Sequence, residues 1–167
     1  MERIEKLKIL KPVNMLQNVI TSRYWSPRIR GGIPYFHRAY DFAPQGRHIL
    51  HKQDVVASVL SRVLKIDYEP NGFGVYTKHQ AIDFPDLIFY NAHLEEDSVC
   101  VKAGDVVDAK QIVAKMGHTG NSRSRWIGGD PTHLHQEFRW MVDRGNYVKL
   151  DAALYYQDFN WLGAFRV

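Results

Sequence analysis

Two histidines and a glutamate occupy alternate positions in one short segment of the chain, Thr132-His133-Leu134-His135-Gln136-Glu137. Along an extended strand, alternate side chains lie on the same face, so His133, His135 and Glu137 are predicted to project together. The apolar side chains of the same strand then face a core on the other side, at Leu134, Phe138 and Trp140. Because neutral imidazole nitrogens and carboxylate oxygens are zinc ligands, this spacing indicates metal-assisted hydrolysis.

Further candidate ligands lie much earlier in the chain, where His37 and Asp41 are four residues apart. In a bent segment both side chains can reach one cation. Together with one of His133 and His135, they provide three protein ligands and leave a fourth position for water, which is the arrangement of a catalytic zinc site. A single carboxylate leaves the zinc centre with net positive charge, which lowers the pKa of bound water to about 7.

The elements that must position these residues are predicted to be short strands separated by turns. Gly and Pro mark the turns at 71–74 and 102–105 and a long polar loop at 117–131, and residues 23–36 resemble a loop. Short helices are predicted at 13–20 and 150–156. Five segments have the β-branched or alternating pattern of strands: Val55–Ile66 (one or two strands), Val75–His79, Leu87–His93, Gln111–Met116 and Thr132–Val142. The fold class is therefore mainly β, with an antiparallel sandwich or barrel-like core.

Composition narrows the function classes. The chain of 167 residues is the size of one domain, residues 1–167. Its one cysteine, Cys100, excludes both an intrachain disulfide and a Cys-rich zinc site, and its apolar neighbours predict a small core residue. The net charge of +4 favours an anionic partner such as nucleic acid or a cell wall. Nucleic-acid binding is not expected, because the sequence has no block rich in lysine and arginine.

Membrane insertion and export are not expected from this sequence. No apolar run approaches the roughly 20 residues that span a bilayer. The segment Met1–Lys11 lacks the apolar stretch and cleavage site of a signal peptide.

The order of the motifs resembles the lysostaphin/LytM-type zinc metallopeptidases, peptidase family M23. The resemblance covers roughly residues 19–157. His37–Asp41 is similar to the family's HxGxD, Tyr90–Leu94 to its Y-x-H-L, Gly117–Gly120 to its G-x-T-G and His133–His135 to its HLH. Two departures are Ala39, in place of the glycine of HxGxD, and Gln136, where an apolar residue is usual. The loop 121–131 also looks longer than the family's.

The resemblance implies an antiparallel β fold of the duplicated hybrid motif type with a substrate groove and one Zn²⁺ ion. The zinc ligands would be His37, Asp41 and His135. The unliganded histidines, His93 and His133, would be catalytic. One would accept the proton of the attacking water and the other would help to stabilise the oxyanion, with their assignment left open.

Other residues are predicted to support the site or contact the substrate. Glu137 either orients a ligand imidazole or is a surface carboxylate on the strand. His79 ends a predicted strand at a position where the family often has a histidine, which would place it near the groove, but a structural or solvated role is favoured for it. Four residues are candidates for the substrate groove: Tyr40, Asn91, Arg125 and Trp126.

The function implied by the resemblance is a zinc endopeptidase that cuts the stem peptide or cross-bridge of bacterial peptidoglycan. Such a small domain suits a bacteriophage lysin or a virion-associated hydrolase, released at lysis or carried in the virion. The alternative is a non-catalytic structural or binding domain of the same fold, for example in a phage tail. A D-Ala-D-Ala or L-Ala-D-Glu peptidase is disfavoured, because the His-to-Asp gap is too short and no acidic base precedes a final histidine.

Overall fold

The computed structural model describes residues 6–45, 53–124 and 131–157. Within these ranges the chain forms strands and two short 3₁₀-helices, Gly120–Ser124 and Ala152–Leu154, and no α-helix. The strands are β1 (Ile9–Leu10), β2 (Asn18–Ser22), β3 (Pro27–Arg30), β4 (Ile33–Phe36), β5 (Tyr40–Pro44), β6 (Asp54–Val56), β7 (Ser61–Glu69), β8 (Gly74–Ala81), β9 (Leu87–Leu94), β10 (Val106–Val107), β11 (Ile112–Lys115), β12 (Leu134–Asp143), β13 (Asn146–Leu150) and β14 (Tyr156–Gln157). The prediction of a mainly antiparallel β fold is confirmed.

One eight-stranded antiparallel sheet organises the molecule. Seven of its strands follow the order β10-β7-β8-β9-β12-β5-β2, and the eighth, β13, pairs with β12 beside this path. Strand β12 is central, since it pairs with β9 along one edge and changes partner along the other. It pairs with β5 at residues 134–136 and with β13 at 138–143. The hairpin β3–β4 and the antiparallel pair β6–β11 form small separate sheets. In the described part of the chain, no helix is long and apolar enough to cross a bilayer.

The two faces of the large sheet differ in character. One face carries the main core, to which β9 contributes Leu87, Phe89 and Leu94. The other face carries a smaller cluster that includes Ile88 and Tyr90 from the same strand. This alternation is the period of two that an extended strand imposes, and burial of the apolar set therefore fixes which side chains reach the second face.

The two ends of the described chain close the core together. Strand β1 pairs with β14 in parallel, with Ile9 opposite Tyr156. The buried cluster includes Leu7, Ile9 and Val13, which precede the region 19–157 where the motifs lie. The segment before β2 is therefore part of the hydrophobic core.

The helix predicted at 13–20 is wrong. Val13 lies in the core, and Asn18–Ser22 forms strand β2 beside β5. The run Val19-Ile20-Thr21 is β-branched, and pairing with β5 satisfies its backbone groups. At the other end of the chain, the helix predicted at 150–156 is reduced to one 3₁₀ turn, Ala152–Leu154, capped by the Asp151 side chain.

Two further predictions are corrected. Residues 23–36 contain the hairpin β3–β4, whose turn uses Gly31 and Gly32 at φ of 57° and 81°. Positive φ at both central residues is what a tight hairpin turn requires. Cys100 is exposed instead of lying in the core, and its Sγ donates to the carbonyl of Ile112.

We predict that Ile9→Ala lowers the free energy of unfolding by about 2–5 kcal/mol, because it opens a cavity in the core beneath the β1–β14 pair. Ile29→Ala is the matched control, since Ile29 is 68% exposed whereas Ile9 is fully buried. Urea unfolding of both variants measures the difference. Equal losses in the two variants would show that β1 adds nothing to the core.

Candidate active site

Three side chains converge beside the centre of the large sheet. Asp41 on β5 and His135 on β12 are directly paired across the two strands, and His37 lies just before β5. Asp41 Oδ1 is 2.9 Å from His135 Nδ1 and 3.3 Å from His37 Nε2, and the two ring nitrogens are 3.2 Å apart. The three atoms therefore form a nearly equilateral triangle.

Neighbouring groups hold these three side chains in place. His37 Nδ1 is 3.3 Å from the carbonyl oxygen of Arg23 and 3.2 Å from Ser22 Oγ. A carbonyl only accepts, so Nδ1 carries the proton and Nε2 keeps its lone pair for the triangle. Asp41 Oδ2 accepts a hydrogen bond from the Arg28 guanidinium, which leaves Oδ1 for the histidines.

The Asp41 carboxyl is ionised despite its burial. Burial by itself would raise its pKa, but the contacts with the His135 and His37 side chains outweigh burial and hold the pKa well below its usual range. A buried carboxylate next to two imidazoles is a donor set that zinc prefers.

The triangle fits a tetrahedral metal ion. Ligand atoms about 2.1 Å from zinc in tetrahedral geometry are about 3.4 Å from one another. The observed separations of 2.9, 3.3 and 3.2 Å approach that value, and the three residues form a group of potential metal ligands in the structure. Three protein donors leave one coordination position open, as catalytic zinc sites do.

His93 reaches this site because β9 contains an irregular pair of residues. Against β8, Val75 pairs with Leu94 and Thr77 with Asn91, so Ala92 and His93 together oppose a single residue. His93 has φ of 61°, a conformation that is uncommon outside glycine. This β-bulge turns the His93 ring toward His133 and returns Leu94 to the core.

The rings of His93 and His133 form a pair with centroids 4.8 Å apart. His93 Nδ1 is 2.9 Å from the carbonyl of Thr119, and His133 Nδ1 is 2.9 Å from that of Pro131. Both rings therefore carry the proton on Nδ1 and present an unprotonated Nε2. Burial lowers the pKa of His93 to about 3 and also lowers that of His133, which keeps both rings neutral.

A glycine–glycine contact positions the carbonyl that holds His93. A Cβ on Gly120 would lie 2.2 Å from the amide nitrogen of Gly74, so the two backbones touch. The contact docks the turn at 119–120 against the start of β8, where Thr119 Oγ1 accepts from the Val75 amide. Only glycine permits this approach, since Gly120 also has φ of +69°.

These residues lie in one cleft with a volume of ≈ 390 Å³. Its lining includes His37, Asp41, His135, His93 and His133. The described residues that complete the lining come from four regions: Arg28, Tyr35, Phe36 and Arg38 from the hairpin and its end, Phe73 from the turn before β8, Asn121 and Ser122 from the 3₁₀-helix, and Glu137 and Lys149 from β12 and β13. The cleft thus brings the HxxxD pair, the strand-end histidine and the HLH segment together.

Comparison with known protein families identifies the family in which this arrangement of side chains occurs. The sequence profile described as Peptidase family M23 matches residues 35–150, which is more than half of the chain. The chain belongs to peptidase family M23. The resemblance inferred from the motifs is therefore confirmed, and the match spans the convergent histidines and the aspartate. Comparison with curated protein sequences gives no match.

Solved structures of the same fold accompany the M23 assignment. The catalytic domain of a variant of the prophage-encoded M23 protein EnpA from Enterococcus faecalis is 25% identical, with a TM-score of 0.59, covering 83% of this chain and 93% of that one. The catalytic domain of the antimicrobial peptidase lysostaphin from Staphylococcus simulans is 20% identical, with a TM-score of 0.58 and coverages of 82% and 89%. A chain of the SpoIIQ–SpoIIIAH pore-forming complex is 17% identical, with a TM-score of 0.70 and coverages of 96% and 98%.

Glu137 is placed differently from both predictions made for it. Its side chain is 3% exposed, so it is not a surface carboxylate. Among the described residues it bonds to Arg139 and Lys149 instead of to a ligand imidazole. The Arg139 guanidinium also stacks on the rings of Tyr90 and Tyr147, at 4.4 and 4.3 Å from their centroids. Glu137 thus anchors a cationic and aromatic extension of the cleft wall.

Of the four groove residues predicted from the sequence, two lie within the described part of this M23 domain. Tyr40 and Asn91 do not line the cleft, in contrast to the prediction. Tyr40 packs in the core, where its hydroxyl donates to Asp151, and fully buried Asn91 accepts from Gln136 Nε2. Both belong to the opposite face of the sheet. Arg125 and Trp126 lie outside the described residues.

Sequence reasoning missed several groups that the M23 cleft uses. Arg28, which the sequence did not single out as a site residue, holds the second oxygen of Asp41. Phe73 and Ser122 also line the cleft. Their positions in the sequence could have indicated that they lie at the site, because Phe73 lies between Gly72 and Gly74 and Ser122 follows the G-x-T-G segment.

We predict that Gly120→Ala destabilises the domain by about 2 kcal/mol or more beyond Gly104→Ala. Both glycines have positive φ, but a Cβ on Gly104 meets nothing within 4 Å, whereas one on Gly120 overlaps Gly74. Unfolding in urea compares the two variants. The same loss in each would mean that backbone conformation alone, and not the contact with β8, determines the effect.

His79 is a core residue outside the cleft. It is fully buried, stacks on Phe89 with centroids 4.6 Å apart and contacts the hydroxyls of Ser61 and Thr77. Burial lowers its pKa from 6.5 to about 4. Above pH 6.5 the imidazole is neutral in both the folded and unfolded states. Between pH 6.5 and about 4, only the unfolded state binds the proton, so His79 makes folding less favourable as the pH falls.

We therefore predict that the unfolding free energy of the wild type falls by about 3 kcal/mol more than that of His79→Gln between pH 7 and pH 4. Chemical unfolding of both metal-free proteins at several pH values measures this difference. Other buried groups titrate in both proteins and cancel in the comparison. Parallel stability curves would contradict a neutral His79 in the core.

Proposed function

We propose that this M23 domain is a zinc-dependent endopeptidase that hydrolyses peptide bonds of bacterial peptidoglycan. The observation that carries the proposal is the triangle of His37, Asp41 and His135 beside two histidines with free Nε2 atoms. Structural zinc sites have four protein ligands, whereas this triangle provides three. Three donors next to two unprotonated imidazoles instead suit hydrolysis.

In the proposed mechanism, His37 Nε2, Asp41 Oδ1 and His135 Nδ1 would hold the ion. When bound, zinc would supply Lewis acidity at the carbonyl of the scissile bond and toward the attacking water. His93 and His133 have the same tautomer, so a proton leaving the water can be accepted at an Nε2 atom of this pair. The histidine that has accepted the proton donates it to the departing amine. While it carries that proton, the same histidine is the donor available to the developing oxyanion, because the Nε2 atom of its partner carries no proton.

The proteins with this fold support a cell-wall substrate. EnpA is prophage-encoded, and lysostaphin is an antimicrobial peptidase. The net charge of +4 suits an anionic wall, because positive charge steers a protein toward it. We therefore place the site of action at the bacterial cell wall, reached at phage lysis or carried in a virion as part of a lysin or tail component.

The second candidate function is a non-catalytic structural or binding domain. The likeness to a chain of a pore-forming complex, with a TM-score of 0.70, favours it. That likeness concerns the fold alone. The site favours the enzyme, because a scaffold has no need for a buried ionised Asp41 or for His93 in a conformation uncommon outside glycine.

We predict that the purified domain binds one zinc ion and loses wall lysis on chelation, with recovery on zinc addition. Alanine at His37, Asp41 or His135 should abolish zinc binding. Alanine at His93 or His133 should retain zinc and lower hydrolysis by about 10²–10⁴-fold, because these variants lack only proton transfer. Metal content by mass spectrometry and turbidity of purified cell walls give the two readouts.

Asp54→Ala is the control for Asp41→Ala, since the Asp54 side chain is 46% exposed and pairs with Lys115. Retained lysis by the His37 and His133 variants would rule out the enzyme. A wild-type domain that binds zinc but cleaves no wall would favour the structural candidate. Mass spectrometry of the products identifies the bond that is cut.

A further inference from the structure

The hydroxyl of Ser122, a residue of the cleft lining, is a buried polar group without a partner among the described residues. Ser122 is 7% exposed, and within the ranges 6–45, 53–124 and 131–157 its Oγ has no hydrogen-bond partner. Leaving such a group unpaired costs about 1–3 kcal/mol, so an orphan of this kind in a folded protein needs an explanation. We propose that Ser122 binds the main chain of the peptide substrate. The proposal rests on the proposed function and assigns one substrate contact to it.

Other buried hydroxyls of the described chain are satisfied. Ser58 Oγ accepts from Gln136 Nε2, and Ser61 Oγ contacts His79. Thr119 Oγ1 donates to the Leu94 carbonyl and accepts from an amide. Ser122 differs from these three because it lines the cleft. The unpaired hydroxyl therefore belongs to a residue of the cleft wall, where a bound peptide would supply the partner.

The position of Ser122 is fixed relative to the catalytic pair. It lies in the 3₁₀-helix Gly120–Ser124, where the Asn121 amide donates to the Gly72 carbonyl at 3.1 Å. The preceding residue pair carries the Gly120–Gly74 contact and the Thr119 carbonyl that holds His93. One rigid turn thus places both an acid–base histidine and the free hydroxyl, as a substrate-positioning group requires.

The chemistry of the cleft favours a neutral peptide group as the partner. The hydroxyl both donates and accepts, and a peptide entering the cleft loses water from its N–H and C=O groups. An anionic partner is less suited, because two cations of the cleft, Arg28 and Lys149, are already paired with Asp41 and Glu137. Because the Ser122 side chain is short and buried, it reaches the backbone of a bound peptide best when that peptide is extended.

The test compares Ser122→Ala with Ser58→Ala, which removes a satisfied hydroxyl. The probe is a cross-linked stem-peptide dimer isolated from digested peptidoglycan. Its binding to the zinc-free proteins is measured by calorimetry, its hydrolysis by the zinc-loaded proteins is followed by chromatography, and melting temperatures are recorded. Ser122→Thr, which keeps the hydroxyl, is the conservative variant.

For Ser122→Ala we expect binding to weaken about three- to tenfold and KM to rise by a similar factor, with kcat nearly unchanged. The melting temperature should stay the same or rise, because an unpaired buried hydroxyl has been removed. Ser122→Thr should restore binding. Ser58→Ala should lower the melting temperature and leave binding unchanged.

Unaltered peptide binding in Ser122→Ala would overturn the proposal, as would a lower melting temperature with unchanged KM. A wild type that binds the dimer but does not cleave it would defeat the proposed function, while the binding comparison would still decide the role of Ser122. A wild type that does not bind the dimer would overturn the role of Ser122 as well.

Discussion

The pairing of Asp41 with His135 across β5 and β12 is the contact on which the whole site depends. Directly opposed residues on antiparallel strands lie close together, so the register of these two strands alone sets two of the three donors of the triangle. The register is fixed on the other face of the same strands, where Phe42 and Leu134 are paired and fully buried. A slip of one residue would expose both apolar side chains and bury the donors. The same strand register therefore determines both the packing of the core and the geometry of the three donor atoms.

The other three site residues, His37, His93 and His133, reach the cleft through departures from regular strand geometry. His37 lies outside β5 and is tied to the preceding hairpin, since its amide donates to the Ser26 carbonyl and its own carbonyl accepts from Trp25. His93 reaches the cleft through the bulge in β9. His133 precedes β12 and bridges to Gly117 instead of pairing within the large sheet. A regular sheet gives alternate positions on one face, but a pocket with five converging side chains needs these irregularities.

These departures explain how far the sequence could predict the site. Period two correctly placed Leu134 and Phe138 in the core and His135 and Glu137 on the other face. The same rule would have rejected Tyr40, because a residue next to Asp41 on a strand must face away from it. Asn91 was harder, since its two-residue spacing from His93 suggests a shared face and only the bulge reverses it. Bulges depend on pairing partners that are distant in the sequence, and a single sequence does not reveal their register.

The helix predicted at 13–20 failed for a related reason. Val13 and the strand that begins at Asn18 both serve the sheet, but a short apolar run has no period long enough to distinguish helix from strand. Strand pairing determined the conformation of this segment, since β2 lies along β5 and Ser22 is paired with Asp41. The same pairing brings Ser22 Oγ to His37. A segment that local sequence assigns ambiguously is thus given both its conformation and its role by the strand that carries the aspartate.

Several unfavourable features of the molecule lie at the cleft. Of the non-glycine residues with positive φ in the described chain, Asp97 and Lys110 lie in exposed turns, where this conformation is common. Trp25 instead donates its amide to the His37 carbonyl, and His93 is itself one of the convergent histidines. The ionised Asp41 and the unpaired Ser122 hydroxyl are also buried there. Each of these features opposes folding, and the well-packed core on the opposite face must offset them. A domain selected only to be a stable scaffold would gain by losing them, whereas a binding cleft retains them because bound groups complete them.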